Sequence, residues 1–267
     1  MFASLRNLFG SAPEPVRSAV PHGTRYYVIG DVHGRRDLFD ALIAAIERDD
    51  SESGPAETTV VLLGDLVDRG PDSAGVVGRA IEWQARRRVV LLAGNHEEMF
   101  LDSFETEGVL RHFLRHGGRQ TLLSYGLPRA EYDAATIEEL QALMPQIVPQ
   151  SHRDFLSAAT NHLVAGDYLF VHAGIFPNVP LDEQQEHHLR WIREPFLDHQ
   201  AQHEYIVVHG HTITDEVDLR TNRVGIDTGA YRTGRLTALV LEGEQRRLIQ
   251  AVKTELGMTI EQRDCGA

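Results

Sequence analysis

The sequence predicts an α/β fold. Short β-branched and aliphatic runs alternate with stretches whose apolar residues recur at helical spacing. Each of the first three runs ends in glycine and polar side chains, which places chemistry at the carboxyl ends of strands, where α/β folds collect their ligand sites. No window approaches the apolar length of a membrane span.

Residues 1–23 read as an extended tail. Pro13, Pro15 and Pro21 keep it from forming a long helix, and Arg6 interrupts the apolar character of residues 1–10, so no secretory signal is expected. A short partner-binding or membrane-surface helix over 2–9 is the alternative reading of its first residues. The folded domain is expected over 24–254. Its first strand, 25–29, is aromatic and β-branched and runs into Gly30-Asp31-Val32-His33-Gly34. Leu38, Leu42, Ile43 and Ile46 predict a helix over 36–48. A polar loop leads to a strand over 60–63, which ends in Gly64-Asp65-Leu66-Val67-Asp68-Arg69-Gly70, and a helix over 73–84 follows. A third cycle sets a strand over 88–92, then Gly94-Asn95-His96-Glu97, then a helix over 98–106.

The middle of the chain, about 108–161, reads as a helical cap insertion broken by Pro128, Pro145 and Pro149, with helices over 137–144 and 153–159 the clearest. It carries no metal-ligand spacing, and His112, His116 and His152 read as surface or capping residues. Strands return at 168–171, ending in His172-Ala173-Gly174, and at 205–208, ending in His209-Gly210-His211-Thr212. Further strands are expected at 224–226 (followed by Asp227-Thr228-Gly229), 236–241 and 248–252. Residues 255–267 read as a C-terminal surface tail.

Composition narrows the function. The 267 residues carry a formal net charge of -13, which opposes general nucleic-acid binding and stable association with anionic membranes. Cys265 is the single cysteine, so no intrachain disulfide can form, and a reducing, cytoplasmic setting is expected. The strand ends together offer Asp31, His33, Asp65, Asn95, His172 and His211. Carboxylate, imidazole and amide oxygen together suit a borderline divalent ion: manganese first, iron or zinc as alternatives. Six ligands exceed the needs of one catalytic ion, so two ions sharing a bridging carboxylate fit better, as in phosphate-ester hydrolysis. Arg69 and Arg193 would hold phosphate oxygens.

Gly30-Asp31-Val32-His33-Gly34, the 64–70 stretch and Gly94-Asn95-His96-Glu97 resemble the three motifs of the phosphoprotein phosphatase family of calcineurin-like metallophosphoesterases. His172-Ala173-Gly174, Trp191-Ile192-Arg193 and Gly210-His211-Thr212 resemble its bacterial and phage branch, typified by lambda phosphatase. The resemblance implies a β-sandwich flanked by helices. It implies that Asp31 and His33 hold one metal, that Asn95, His172 and His211 complete a second, and that Asp65 bridges both. His96 takes the place of a general acid, Asp68 that of its partner carboxylate, and Arg69, Arg193 and Asn95 bind phosphate.

The implied activity is hydrolysis of a phosphoprotein or small phosphoester by a metal-activated hydroxide, foremost as a serine/threonine protein phosphatase. A symmetrical dinucleoside-tetraphosphate hydrolase is the alternative; that group carries glutamine where His33 stands. A non-catalytic scaffold is the third reading. The His-Ala-Gly motif, and the lack of a match to the eukaryotic C-terminal Ser-Ala-Pro-Asn-Tyr-Cys loop, lead us to expect no eukaryotic-type regulatory subunit. His211 is preferred over His209 as the ligand.

Overall fold

Residues 18–265 are described by the computed structural model; a helix over 2–9 would lie outside them. The first half alternates as expected: β1 (Thr24–Ile29), α1 (Arg36–Glu52), β2 (Glu57–Leu62), α2 (Ser73–Gln84), β3 (Val89–Leu91) and α3 (Asn95–Asp102). The three strands run parallel, with Val28 opposite Val61 and Val61 opposite Val90. Helix α3 starts at Asn95, with Gly94 in extended conformation before it, so Asn95 and His96 belong to its first turn.

The insertion comprises α4 (Glu107–Phe113), a π turn over Leu114–Gly118, α5 (Arg119–Ser124), α6 (Arg129–Ala134), α7 (Ile137–Ile147) and α8 (Gln150–Ser157). Pro145 does not break α7. It lies in the last turn, where its missing N–H removes one bond, and the other end is closed by a reciprocal cap between Thr136 and Glu139.

The second half supplies β4 (His162–Ala165), β5 (Tyr168–Val171), α9 (Glu186–Trp191), β6 (Ile206–His209), β7 (Asp218–Leu219), β8 (Arg223–Gly225), α10 (Ala230–Thr233), β9 (Arg235–Glu242), β10 (Gln245–Thr254) and β11 (Gly257–Asp264). Two sheets result, in the orders β11-β10-β9-β1-β2-β3 and β4-β5-β6-β8-β7. Strand β11 corrects the expected tail: Met258 to Arg263 pair antiparallel with Lys253 to Leu248. All eight of its residues are exposed, so no buried face marks the sequence with an alternation. The end of the N-terminal segment is also docked, since Val20 is buried and its N–H donates to the Gly243 carbonyl.

Side-chain alternation makes the layers. Val28, Val61, Leu239 and Leu241 from the first sheet meet Tyr168, Phe170, Val208 and Val224 from the second in the core between them. Tyr27, Ile29, Leu62 and Val240 point the other way, against Leu38, Leu42 and Ile46 of α1 and Val76 and Ala80 of α2. On the far face of the second sheet, Leu169, Val171 and Val207 pack under Leu189, Ile192 and Phe196. Each such fully buried aliphatic or aromatic side chain contributes roughly 1.5–3 kcal/mol. Strands β1, β2 and β3, and likewise β5, β6 and β8, are parallel, so the carboxyl ends of six strands from two sheets share one rim. Among the described residues no helix is long and apolar enough to cross a membrane.

Candidate metal centre

The rim gathers the polar strand ends. Asp31, His33, Asp65, Asp68, Asn95, His96, His172 and His211 are all buried. Two groups have ligand-competent atoms within 4.8 Å of one another: His33, Asp65 and His96, and Asp65, His172 and His211. Asp65 is common to both. Asp31 stands outside these triads; its carboxylate accepts the His211 N–H at 3.1–3.2 Å. That approach requires glycine at 210, where a Cβ would lie 2.0 Å from Asp31 Oδ1.

Proton bookkeeping shows what the cluster lacks. His33 Nδ1 lies 2.7 Å from the Val67 carbonyl and His172 Nδ1 2.8 Å from the Leu63 carbonyl. Carbonyls only accept, so each Nδ1 carries the proton, and each Nε2 is a lone pair while the ring is neutral. Burial lowers the pKa of both rings and favours that neutral form. Yet His33 Nε2 faces Asp65 Oδ2 at 3.4 Å, and His172 Nε2 faces Asp65 Oδ1 at 3.4 Å and Asn95 Oδ1 at 3.0 Å. Acceptor meets acceptor around Asp65. His211 Nδ1 approaches the same Asn95 oxygen at 2.9 Å, and its buried Nε2 has no partner among the described residues. Lone pairs converging on a carboxylate are the donor set of a divalent cation, and these residues fit one on either side of Asp65.

The charge balance agrees. Glu97 and Asp227 are buried beside Asp31, Asp65 and Asp68. Burial, then Asp227 and Asp65, push the Asp31 carboxyl well above its ordinary range; burial foremost raises Asp227 to about 6, and burial and then Asp65 raise Glu97 to about 7. Arg69 is the guanidinium that reaches inside. Its Nη1 donates to His33 Nε2 at 2.7 Å and its Nη2 to His96 Nε2 at 2.9 Å, while the Tyr231 ring lies 5.0 Å from it. Arg193 is exposed and its side chain makes no hydrogen bond or ion pair among the described residues, although its charge helps to depress His211, whose pKa falls to about 3 chiefly through burial.

His96 and Asp68 form a separate dyad. His96 Nδ1 donates to Asp68 Oδ2 at 2.6 Å, and its Nε2 faces the centre, where it accepts from Arg69 Nη2. Burial acts to lower this imidazole, but Asp65 and the bonded Asp68 prevail and raise it. His209 lies elsewhere, against Phe196, with Nδ1 at 3.0 Å from the Gly210 carbonyl.

The backbone here is strained. Of six non-glycine residues with left-handed φ among the described residues, five are His33, Asp65, Asp68, Arg69 and His211; the sixth is Asn178. Such conformations persist where surroundings over-determine them. Glu97 accepts the N–H groups of Asp65 and Leu66 at 2.7 Å each, and Gly117 of the π turn accepts that of Arg69 at 3.3 Å. Sequence reasoning gave Glu97 and Asp227 no role, although both lie inside quoted motifs. Contacts from the insertion to this loop had no local signal.

Residues 24–232 match the calcineurin-like phosphoesterase family. The asymmetrical bis(5'-nucleosyl)-tetraphosphatase PrpE of Anoxybacillus flavithermus is 26% identical over 80% of this chain and 89% of its own. The symmetrical bis(5'-nucleosyl)-tetraphosphatase of Acidovorax sp. is 32% identical over 59% of this chain, but the match spans only 46% of that relative. Serine/threonine-protein phosphatase 1 of Salmonella typhimurium is 37% identical over 29% of this chain and 32% of its own. The solved structure of a putative diadenosine tetraphosphatase shares the fold, with a TM-score of 0.57, 21% identity and coverage of 95% and 96% of the two chains.

Proposed function

Because the chain belongs to the calcineurin-like phosphoesterases and is a metal-dependent phosphoester hydrolase, we propose that it cleaves the phosphoanhydride chain of a dinucleoside tetraphosphate. Extent alone does not choose the substrate, since serine/threonine-protein phosphatase 2 of Salmonella typhimurium is 23% identical over 79% of this chain and 90% of its own. The observation that carries the choice is identity at comparable extent: the symmetrical tetraphosphatase is 32% identical over 59% of this chain, and the asymmetrical PrpE is 26% identical over four fifths of it and nearly the whole of its own length. That relative cleaves asymmetrically while the half-length match is symmetrical, so the position of the cut is left to the products.

Asp31, His33 and Asp65 would hold one divalent cation, and Asp65, Asn95, His172 and His211 the other; manganese is the first choice. Bound there, the pair supplies a water activated for attack and neutralises phosphoryl oxygen charge. The protein's own groups do the rest. Arg69 and Arg193 clamp the phosphoryl oxygens, with the Asn95 amide beside them. The attacking oxygen bonds to phosphorus as the bond to the leaving oxygen breaks in line, and the leaving oxygen takes a proton from His96 Nε2, which carries one once Arg69 has turned from it to the phosphoryl oxygens. Asp68, bonded to Nδ1, orients the imidazole and stabilises its charged form before transfer.

A second reading, serine/threonine protein phosphatase, rests on His33, where the symmetrical tetraphosphatase group carries glutamine. Incubating the manganese-loaded chain with diadenosine tetraphosphate and, separately, a phosphoserine peptide distinguishes the two. Release of ADP alone, or of ATP with AMP, at the higher kcat/KM supports the proposal. Faster release of inorganic phosphate from the peptide overturns it in favour of the second reading.

A further inference from the structure

The insertion was expected to cover the site, but its α5 helix reaches underneath it. Thr121, 53 residues after Asp68 and fully buried, places Oγ1 2.6 Å from Asp68 Oδ1, 2.9 Å from the Asp68 backbone nitrogen and 3.0 Å from Ser73 Oγ. The directions of these bonds are fixed. A hydroxyl has one proton, and Asp68 Oδ1 can only accept it, so Thr121 donates there and accepts from the Asp68 N–H and the Ser73 hydroxyl. Ser73 Oγ in turn accepts from the same Asp68 N–H at 3.0 Å. Asp68 therefore receives Thr121 on Oδ1 and His96 on Oδ2, while its left-handed backbone, φ 72°, is pinned by two hydroxyls.

We infer that Thr121 is a positioning residue for proton donation: it acts through Asp68 to aim the His96 imidazole, so the helical insertion is a working part of the acid. The inference rests on the acid role of His96 proposed above. Tethering at Oδ1 stops the carboxylate rotating about its Cβ–Cγ bond, and with it the direction in which His96 Nε2 points. The π turn just before α5 adds a second tie, the Gly117 carbonyl on the Arg69 N–H. A Cβ on Gly117 would lie 2.6 Å from that nitrogen, at φ 115°, so the close approach requires glycine.

The test compares para-nitrophenyl phosphate, whose leaving group departs without help, with phenyl phosphate, whose leaving group needs a proton. On the manganese-loaded full chain, Thr121→Val should lower kcat about tenfold on phenyl phosphate and less than threefold on para-nitrophenyl phosphate, with KM and bound manganese unchanged. Thr121→Ser, which keeps the donor and both acceptor positions, should recover most of the loss. Ser73→Ala, a milder change should the valine variant fold poorly, should show the same discrimination at about threefold. Equal loss on both substrates, no loss, or failure of serine to rescue overturns the inference. His96→Asn is run in parallel. If it discriminates between the substrates and the Thr121 and Ser73 variants do not, only the positioning role falls. If His96→Asn itself does not discriminate, the acid assignment falls and takes this inference with it.

Discussion

Strand β1 has a buried charged cluster at each end, and the two are built on opposite principles. At its start, Arg25 donates to Glu242 at 2.8 and 3.0 Å, to Asp50 at 2.8 Å and to the Gly54 carbonyl at 2.9 Å. Tyr27 gives its hydroxyl proton to Asp49, whose carboxylate also takes Arg247 at 2.7 and 3.1 Å, and Arg87 closes the cluster on Asp50 and Glu47. Guanidinium meets carboxylate throughout, and of the cluster's buried arginine donors only Arg87 Nε lacks a partner among the described residues. At its finish, Asp31 and His33 enter a cluster where acceptors face one another and Arg69 alone brings a permanent charge inside. Burial of charge is common to both ends. What distinguishes a candidate site is imbalance of charge: each guanidinium of the first cluster is paired with carboxylate, and the second is completed by a cation.

The largest expected effect comes from removing the shared carboxylate. Asp65→Asn should lower turnover by about a thousandfold or more, and bound manganese measured by elemental analysis should fall by at least half, because both halves of the centre lose a ligand. Metal-free protein should melt no lower than wild type, since the change removes a buried charge that lacks a compensating cation. A clear drop in metal-free stability would mean that Asp65 is a structural group like Asp49.

The converse change is Asp49→Asn. It strands Arg247 and the Tyr27 hydroxyl, and should cost about 2–3 kcal/mol by chemical denaturation, at or just below the lower end for a broken buried pair because the Arg247 side chain is 24% exposed. Turnover per folded molecule should not change. The effect depends on pH in a definite direction. Burial would raise Asp49, but its bonds to Arg247 and Tyr27 hold it below the usual carboxylate range. Its contribution is therefore present above the unfolded pKa, near 4, and is lost as pH falls below that. The gap between variant and wild type should close in acid.

The contrast also explains what the sequence disclosed. Asp31, His33, Asp65, Asn95, His172 and His211 each lie within four residues of the end of a short apolar run, so finding the strands finds the rim, and parallel strands bring their ends together without further information. The paired cluster gave no such signal, because Arg25, Asp49 and Arg247 lie at ordinary strand and helix positions and meet through tertiary packing. Thr121 was hidden for the same reason: its link to Asp68 spans 53 residues and crosses from a helix to a loop. Glu97 stood in plain view, but its work is to accept three consecutive N–H groups of a left-handed loop (the third, from Val67, at 3.4 Å), and φ is not written in spacing. Strand β11 was missed because a strand exposed along both faces carries no alternation to read.

Arg193 gives the smallest and most discriminating prediction. Unlike Arg69, it is exposed and makes no contact inside the centre; it enters through its field on His211. A guanidinium held in solvent adds little beyond a bidentate contact with substrate oxygens, and an exposed contact is worth about 1 kcal/mol. Arg193→Ala should therefore raise KM for diadenosine tetraphosphate about fivefold, leave kcat within twofold and leave bound manganese unchanged. Rising ionic strength should shrink the difference, since an exposed charge is screened where a buried one is not. Loss in kcat instead of KM would place Arg193 on the transition state beside Arg69, and the line drawn between an interior and a solvent-facing arginine would have to be redrawn.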